Sequence, residues 1–164
     1  MSPEEPLPTP FTVLIDTREQ HPYRFEGLRS DAREGRRPLA VQTERATLRS
    51  GDYSLCAWCD YVAVERKSVS DLFGTLGQGR ERFERELLRL AEMEFAAVVV
   101  EANWSEVLAP QPHSQLNPKT VHRSVIAWQQ RHPRVHWWFC GDRWLAEVTT
   151  FRILERWWRD HATA

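Results

Sequence analysis

The most continuous apolar run in the chain, Phe95 to Glu101 (FAAVVVE), is the feature that most limits its fold. Successive side chains of a strand point to opposite faces, so a strand that is apolar throughout has to be covered on both, as parallel-type strands are. Phe11 to Asp16 (FTVLID) is a second compact, β-branched run; it ends on an acid and reads as a central strand. Leu39 to Leu48 is a less regular strand candidate. Asp52 to Leu55 and Tyr61 to Lys67 read as the arms of a hairpin with its tip at Cys56 to Asp60. Residues 1–10, MSPEEPLPTP, hold four prolines and little to bury, and are expected to be a flexible tail. Residues 23–38 are polar and irregular, with Gly27, Gly35 and Pro38, and leave room only for a short helix.

Helices fill the remaining intervals. Ser68, with Asp71 three residues on, predicts a capped helix over Val69 to Leu76. From Arg80 to Met93 the apolar Phe83, Leu87, Leu90 and Met93 recur at helical spacing, with Glu81–Arg85 and Arg82–Glu86 placed to pair across a turn. A short helix is expected near Ser105 to Leu108, and another from Pro118, behind Asn117, to about Gln130. A strand over Val135 to Cys140 precedes a final helix from Asp142 to about Arg159. Strands alternating with helices imply an α/β domain with a mainly parallel or mixed sheet. The 164 residues suffice for one such domain, taken as 11–164, and no internal repeat is visible.

Composition narrows the setting. A chain 41% hydrophobic and 27% charged, without a membrane-length apolar run or a basic-then-apolar leader, is expected to be globular. Three cysteines, an odd number, do not make a disulfide framework and fit a reducing, intracellular compartment, cytoplasmic or nucleoid-associated. A net charge of −1 gives no global basic footprint for nucleic acid. Of the 22 lysines and arginines only Lys67 and Lys119 are lysines, which makes a lysine inside a motif conspicuous.

That motif runs from Gly51 to Asp71. Gly51-Asp52 is followed after twelve residues by Glu65-Arg66-Lys67, and then, past three more, by Asp71. On a strand Glu65 and Lys67 share a face, roughly 7 Å apart, while Arg66 points the other way. Asp52 follows a glycine that tolerates unusual backbone angles. Two acids and a lysine gathered by a hairpin suit a divalent cation held by oxygen ligands, with an ammonium nearby to handle a proton or a phosphate. A solvated charge pair explains most isolated Glu-x-Lys triplets. Here the triplet coincides with an acid ending the first strand, the Gly-Asp pair and a capped helix start, which together point to a metal-dependent nuclease.

The segments LIDTRE, GDY and VERKSVSDL closely resemble the nuclease domain of the XPF family of structure-specific endonucleases, whose signature is GD, a variable gap, ERK, three residues and D. The likeness extends more loosely from about Phe11 to Glu101, including Gly79-Arg80 and the VVVE strand. It implies a restriction-endonuclease-like fold, a mixed central sheet flanked by helices, that hydrolyses DNA phosphodiester bonds on branched, flap or fork DNA in repair or recombination. Mg2+ is the implied cofactor, with Mn2+ able to substitute. Asp52 and Glu65 match the family's metal-binding acids, Lys67 its catalytic lysine, and Asp16 the acid ending the first strand, a further metal ligand. Arg66 and Asp71 match signature positions; Arg66 is included with the catalytic set, although its strand parity suits pairing with an acid such as Asp71.

Arg18 and Glu19 follow the first strand within reach of the same cleft, and Arg80 and Arg82 open a helix just beyond the motif. Arg18, Arg80 and Arg82 are therefore candidate phosphate contacts. Family members often add tandem helix-hairpin-helix or helicase modules, which this sequence does not show, so a separate DNA-binding or helicase partner is expected to supplement its grip on DNA. The competing reading is a non-catalytic DNA-binding or scaffold partner of the same fold, and a third is a nuclease of restriction or phage recombination. Cys56-Ala-Trp-Cys59 lacks the second pair that structural zinc needs. The histidines show no ligand spacing on a helix. Trp144, Val148, Phe151, Leu154 and Trp158 form a wide apolar stripe on the last helix, mostly core. Since members of the family dimerise, the Trp-rich C-terminal region is also the expected homodimer surface.

Overall fold

A computed structural model describes residues 4–162 of the chain. Six strands make one mixed sheet in the order β2-β1-β3-β4-β5-β6, where β1 is Leu7–Asp16, β2 Leu39–Ala46, β3 Tyr53–Leu55, β4 Val62–Lys67, β5 Phe95–Val100 and β6 Val135–Phe139. The β1–β3 and β3–β4 pairs are antiparallel; β1–β2, β4–β5 and β5–β6 are parallel. The helices are α1 Val69–Leu76, α2 Arg80–Ala91, α3 Trp104–Leu108, α4 Pro118–Arg131 and α5 Arg143–His161. The mixed, helix-flanked α/β sheet is the expected one.

Local chemistry sets most boundaries. Ser68 and Asp71 form a reciprocal capping box on α1, Asn117 caps α4 ahead of Pro118, and the Asp142 carboxylate accepts from the Leu145 N–H at the start of α5. Two expectations change. The first strand begins at Leu7, so residues 7–10 belong to the sheet; Met1 to Pro3 lie outside the described residues. Its prolines are accommodated because the register shifts between Pro8 and Thr12, where a missing N–H breaks no regular ladder. On α2 the pairs formed are Arg80–Glu84 and Arg89–Glu86, not Glu81–Arg85 and Arg82–Glu86. Arg82 points to solvent, away from the face that Phe83, Leu87 and Leu90 bury.

Each sheet face has its own core. On one, Val13, Ile15, Tyr53, Val62, Val64, Ala97 and Val99 meet Phe151 and Leu154 of α5. A single helix does not cover that face, and Tyr23, Phe25 and Leu28 of the irregular 23–38 segment complete it. Phe25 adopts a left-handed φ of 56°, its N–H held by the Glu147 carboxylate of α5. The other face packs Ala63, Ala96, Val98 and Val100 against Leu72 and Leu76 of α1, Phe83 and Leu87 of α2, and Val121 and Trp128 of α4. Beyond its buried half, Val62 to Val64, β4 therefore delivers Glu65 and Lys67 to the α2 side and Arg66 to the α5 side.

Candidate active site

Gly51 sits at φ +75°, and a Cβ there would lie 3.1 Å from both the Ala63 Cβ and the Val64 carbonyl oxygen, so the turn requires glycine twice over. Asp52 is then pinned from both sides: its N–H donates to the Val64 carbonyl, and its own carbonyl accepts from the Asp16 N–H, each at 2.8 Å. Its side-chain Oδ2 accepts from the Arg66 backbone N–H at 2.8 Å. Next to it, Lys67 Nζ donates to Glu65 Oε1 at 2.8 Å, both side chains being about 12% exposed. The same ammonium lies 4.6 Å from the centroid of the buried Phe83 ring on α2, within cation–π range.

Burial and then the neighbouring Glu65 charge push Asp52 up to about 8, against the opposing pull of the Arg66 N–H and Lys67. Burial raises Glu65 as well, with Lys67 restraining it. Burial works to lower the pKa of Lys67, but Glu65 outweighs it, so the ammonium is held above its ordinary range. Two carboxylates thus face one ammonium in a part-buried cleft, and a second negative charge there would lack an ammonium of its own. That deficit fits a divalent cation, which would be held by Asp52 and Glu65. Among the described residues no three His, Cys, Asp or Glu side chains are grouped to hold a metal ion. Two protein carboxylates with waters and a substrate phosphate are nonetheless an ordinary Mg2+ shell.

Arg66 enters this cleft only through its backbone. Its guanidinium, about 11% exposed, lies on the opposite sheet face, donating Nε to Glu101 Oε1 at 2.6 Å and Nη2 to Oε2 at 3.2 Å, with Glu19 Oε1 at 3.4 Å from Nη1. Tyr23 Oη and Arg143 Nη1 donate to Glu101 Oε1 at 2.9 and 3.1 Å. Arg66 does not pair with Asp71, because α1 begins one residue beyond β4 and turns Asp71 into its own cap. Sequence reasoning missed Glu101, Tyr23 and Arg143. The available signal was parity: Arg66 pairs with Val99, and Glu101, two residues on and just past the end of β5, keeps to the same side.

Asp16, expected among the metal-binding acids, is committed elsewhere. Oδ2 accepts from Arg18 Nε at 2.8 Å and Arg18 N at 3.2 Å, while Oδ1 accepts from Leu48 N at 2.9 Å and Arg18 Nη2 at 3.3 Å. Burial works to raise its pKa, but these donors outweigh it and hold the carboxyl below its usual range. The Arg18 side chain is still 69% exposed, at the mouth of the cleft. Glu19 turns inward to Arg66, and its charge is felt at Asp52. Arg80 is engaged by Ser124, Glu84 and the Trp128 ring, whereas Arg82 has no partner among the described residues.

Residues 15–147 match the family described as the ERCC4 domain, a span holding every residue of the cleft. The chain belongs to the ERCC4 domain family. Its fold is similar to that of XPF from Aeropyrum pernix, at TM-score 0.60 and 23% identity over 88% of this chain and 65% of that one. The same relative in complex with DNA matches at TM-score 0.54 and 24% identity, over 87% of this chain and 66% of that one. The ERCC4 domain chain therefore spans just under two thirds of the length of these structures. No curated protein matches it. Among the described residues no helix is long and apolar enough to cross a membrane.

Proposed function

We propose that this ERCC4 domain is a divalent-metal-dependent DNA endonuclease, acting on branched, flap or fork DNA in repair or recombination inside the cell. The observation that carries the reading is the pairing of Asp52 and Glu65, two carboxylates that burial raises in pKa, Asp52 further so by the Glu65 charge, with Lys67 as their ammonium between β4 and α2. A bound Mg2+, or Mn2+ in its place, would supply Lewis acidity at the scissile phosphate. Asp52 and Glu65 would hold that ion. Lys67, held by Glu65 and seated on Phe83, presents its Nζ protons to the negative charge that builds on the phosphate. Asp16 stays with Arg18, whose exposed guanidinium, with that of Arg82, meets flanking phosphates. The DNA complex of the XPF relative supports DNA as the substrate class.

Cleavage of duplex, single-stranded, flap, fork and four-way DNA with Mg2+ or Mn2+ tests this reading, with Glu65→Ala as the control. Metal-dependent cutting that the control lacks is expected, strongest on a branched or single-strand-bearing substrate. No cutting of any substrate would favour the non-catalytic scaffold reading.

We also assign the homodimer surface to the groove between α5 and the edge strand β6. It has a volume of about 560 Å³ and is lined by Phe95, Trp138, Val148, Ile153 and Trp157. Trp138 is 47% exposed and Trp144, nearby in sequence at the start of α5, 66%. Sedimentation should show a dimer at micromolar concentration that Trp138→Ala weakens; a monomeric wild-type chain would remove the assignment.

A further inference from the structure

Helix α2 approaches the cleft with two residues one turn apart. Phe83 lies under Lys67, and Glu86 lies under the Gly51–Asp52 turn. Glu86 Oε1 accepts the Gly51 backbone N–H at 2.9 Å, and Arg89 donates to Oε2. Both oxygens are therefore occupied, one by the turn and the other by an arginine of the same helix. Its charge reaches Glu65 and Arg18, which places it at the back of the cleft.

The backbone of Asp52 is held by β1 and β4, but the left-handed glycine before it has no strand partner for its N–H. Without Glu86 that donor faces part-buried protein, and the turn loses the contact that ties it to α2. We infer that Glu86 is a positioning residue for the metal-binding turn: it fixes the Gly51 peptide, and so the aim of the Asp52 carboxylate, without touching the metal or the DNA itself. This rests on the nuclease reading for the reaction, but not for the positioning. The role needs a hydrogen-bond acceptor and not a charge, so glutamine should fill it and alanine should not.

The test compares wild type, Glu86→Gln and Glu86→Ala by calorimetric titration with Mn2+, single-turnover cleavage, DNA affinity and hydrogen exchange at the Gly51 amide. Glu86→Ala should bind Mn2+ and cleave about 10-fold or more weakly at unchanged DNA affinity, the usual scale for removing an outer-shell support. Its Gly51 amide should exchange faster, and Glu86→Gln should stay within about 3-fold of wild type in each measurement. Wild-type Mn2+ affinity in Glu86→Ala would overturn the inference. A loss in Glu86→Gln equal to that in Glu86→Ala would do so too, by making the charge, and hence direct ligation, the active property. A wild-type domain that binds Mn2+ without cutting DNA would end the nuclease reading and leave the affinity comparison to decide the role of Glu86. One that binds no Mn2+ would end both.

Discussion

Asp52→Asn is expected to lower metal-dependent cleavage by about three orders of magnitude, roughly the 4 kcal/mol that a lost charge contact in a transition state is worth, and to stabilise the metal-free domain. The two effects share one cause. Asparagine keeps the acceptor that receives the Arg66 N–H, so the turn survives while the charge that would hold the cation is gone. In the folded chain burial and Glu65 push Asp52 up to about 8, against about 3.9 in an unfolded chain. The unfolded state therefore ionises first. Stability is undiminished below about pH 4, falls as the pH rises, and reaches its full loss above about pH 8. Metal-free Asp52→Asn should escape that loss and be more stable at pH 8, on the order of 2–3 kcal/mol in urea titrations. Adding Mg2+ should stabilise wild type and not the variant. Glu65→Gln should lose cleavage on the same scale. Retained Mg2+-dependent cleavage in either purified variant would dismiss both acids as metal ligands.

Arg66→Ala should cost about 3–5 kcal/mol of folding stability, the range for removing one partner of a buried ion pair. Glu101 and Glu19 would be left on one sheet face with Tyr23 and Arg143, and Arg143 is the more exposed cation of the cluster. Lysine should not rescue it, because the two hydrogen bonds to the Glu101 oxygens use the guanidinium fork. Arg66→Met with Glu101→Leu should recover part of the loss by removing both charges together. Urea denaturation decides the matter. A loss below about 1 kcal/mol for Arg66→Ala would mean that water, rather than Arg66, solvates Glu101.

What the sequence disclosed was the chemistry carried by neighbours. Glu65 and Lys67 share a face because strand parity demands it, and the starts of α1, α4 and α5 follow from side chains one turn away. The partners of Arg66 were hidden because Glu101 lies 35 residues on and Arg143 far beyond that. The burial of Tyr23, Phe25 and Leu28 was hidden for another reason: an irregular segment has no period to betray which of its residues face inward. Asp16 was legible as an acid ending a strand, but nothing local distinguishes an acid awaiting a cation from one already satisfied by Arg18 and the Leu48 N–H.

The pairing of Tyr53 with Val64 at the base of the hairpin bears on how such chains can vary in length. Gly51, Asp52, Glu65 and Lys67 are all located from that end, by the Asp52 N–H on Val64 and by the parity of β4. The tip, Cys56 to Tyr61, lies outside the ladder on the far side. Residues gained or lost at the tip lengthen or shorten a loop and leave the two acids facing each other. One residue gained or lost between Val62 and Glu65 would instead exchange the two faces, sending Glu65 and Lys67 toward α5 and Arg66 toward α2. The gap in the GD…ERK signature is thus elastic in one segment and fixed in parity in the other.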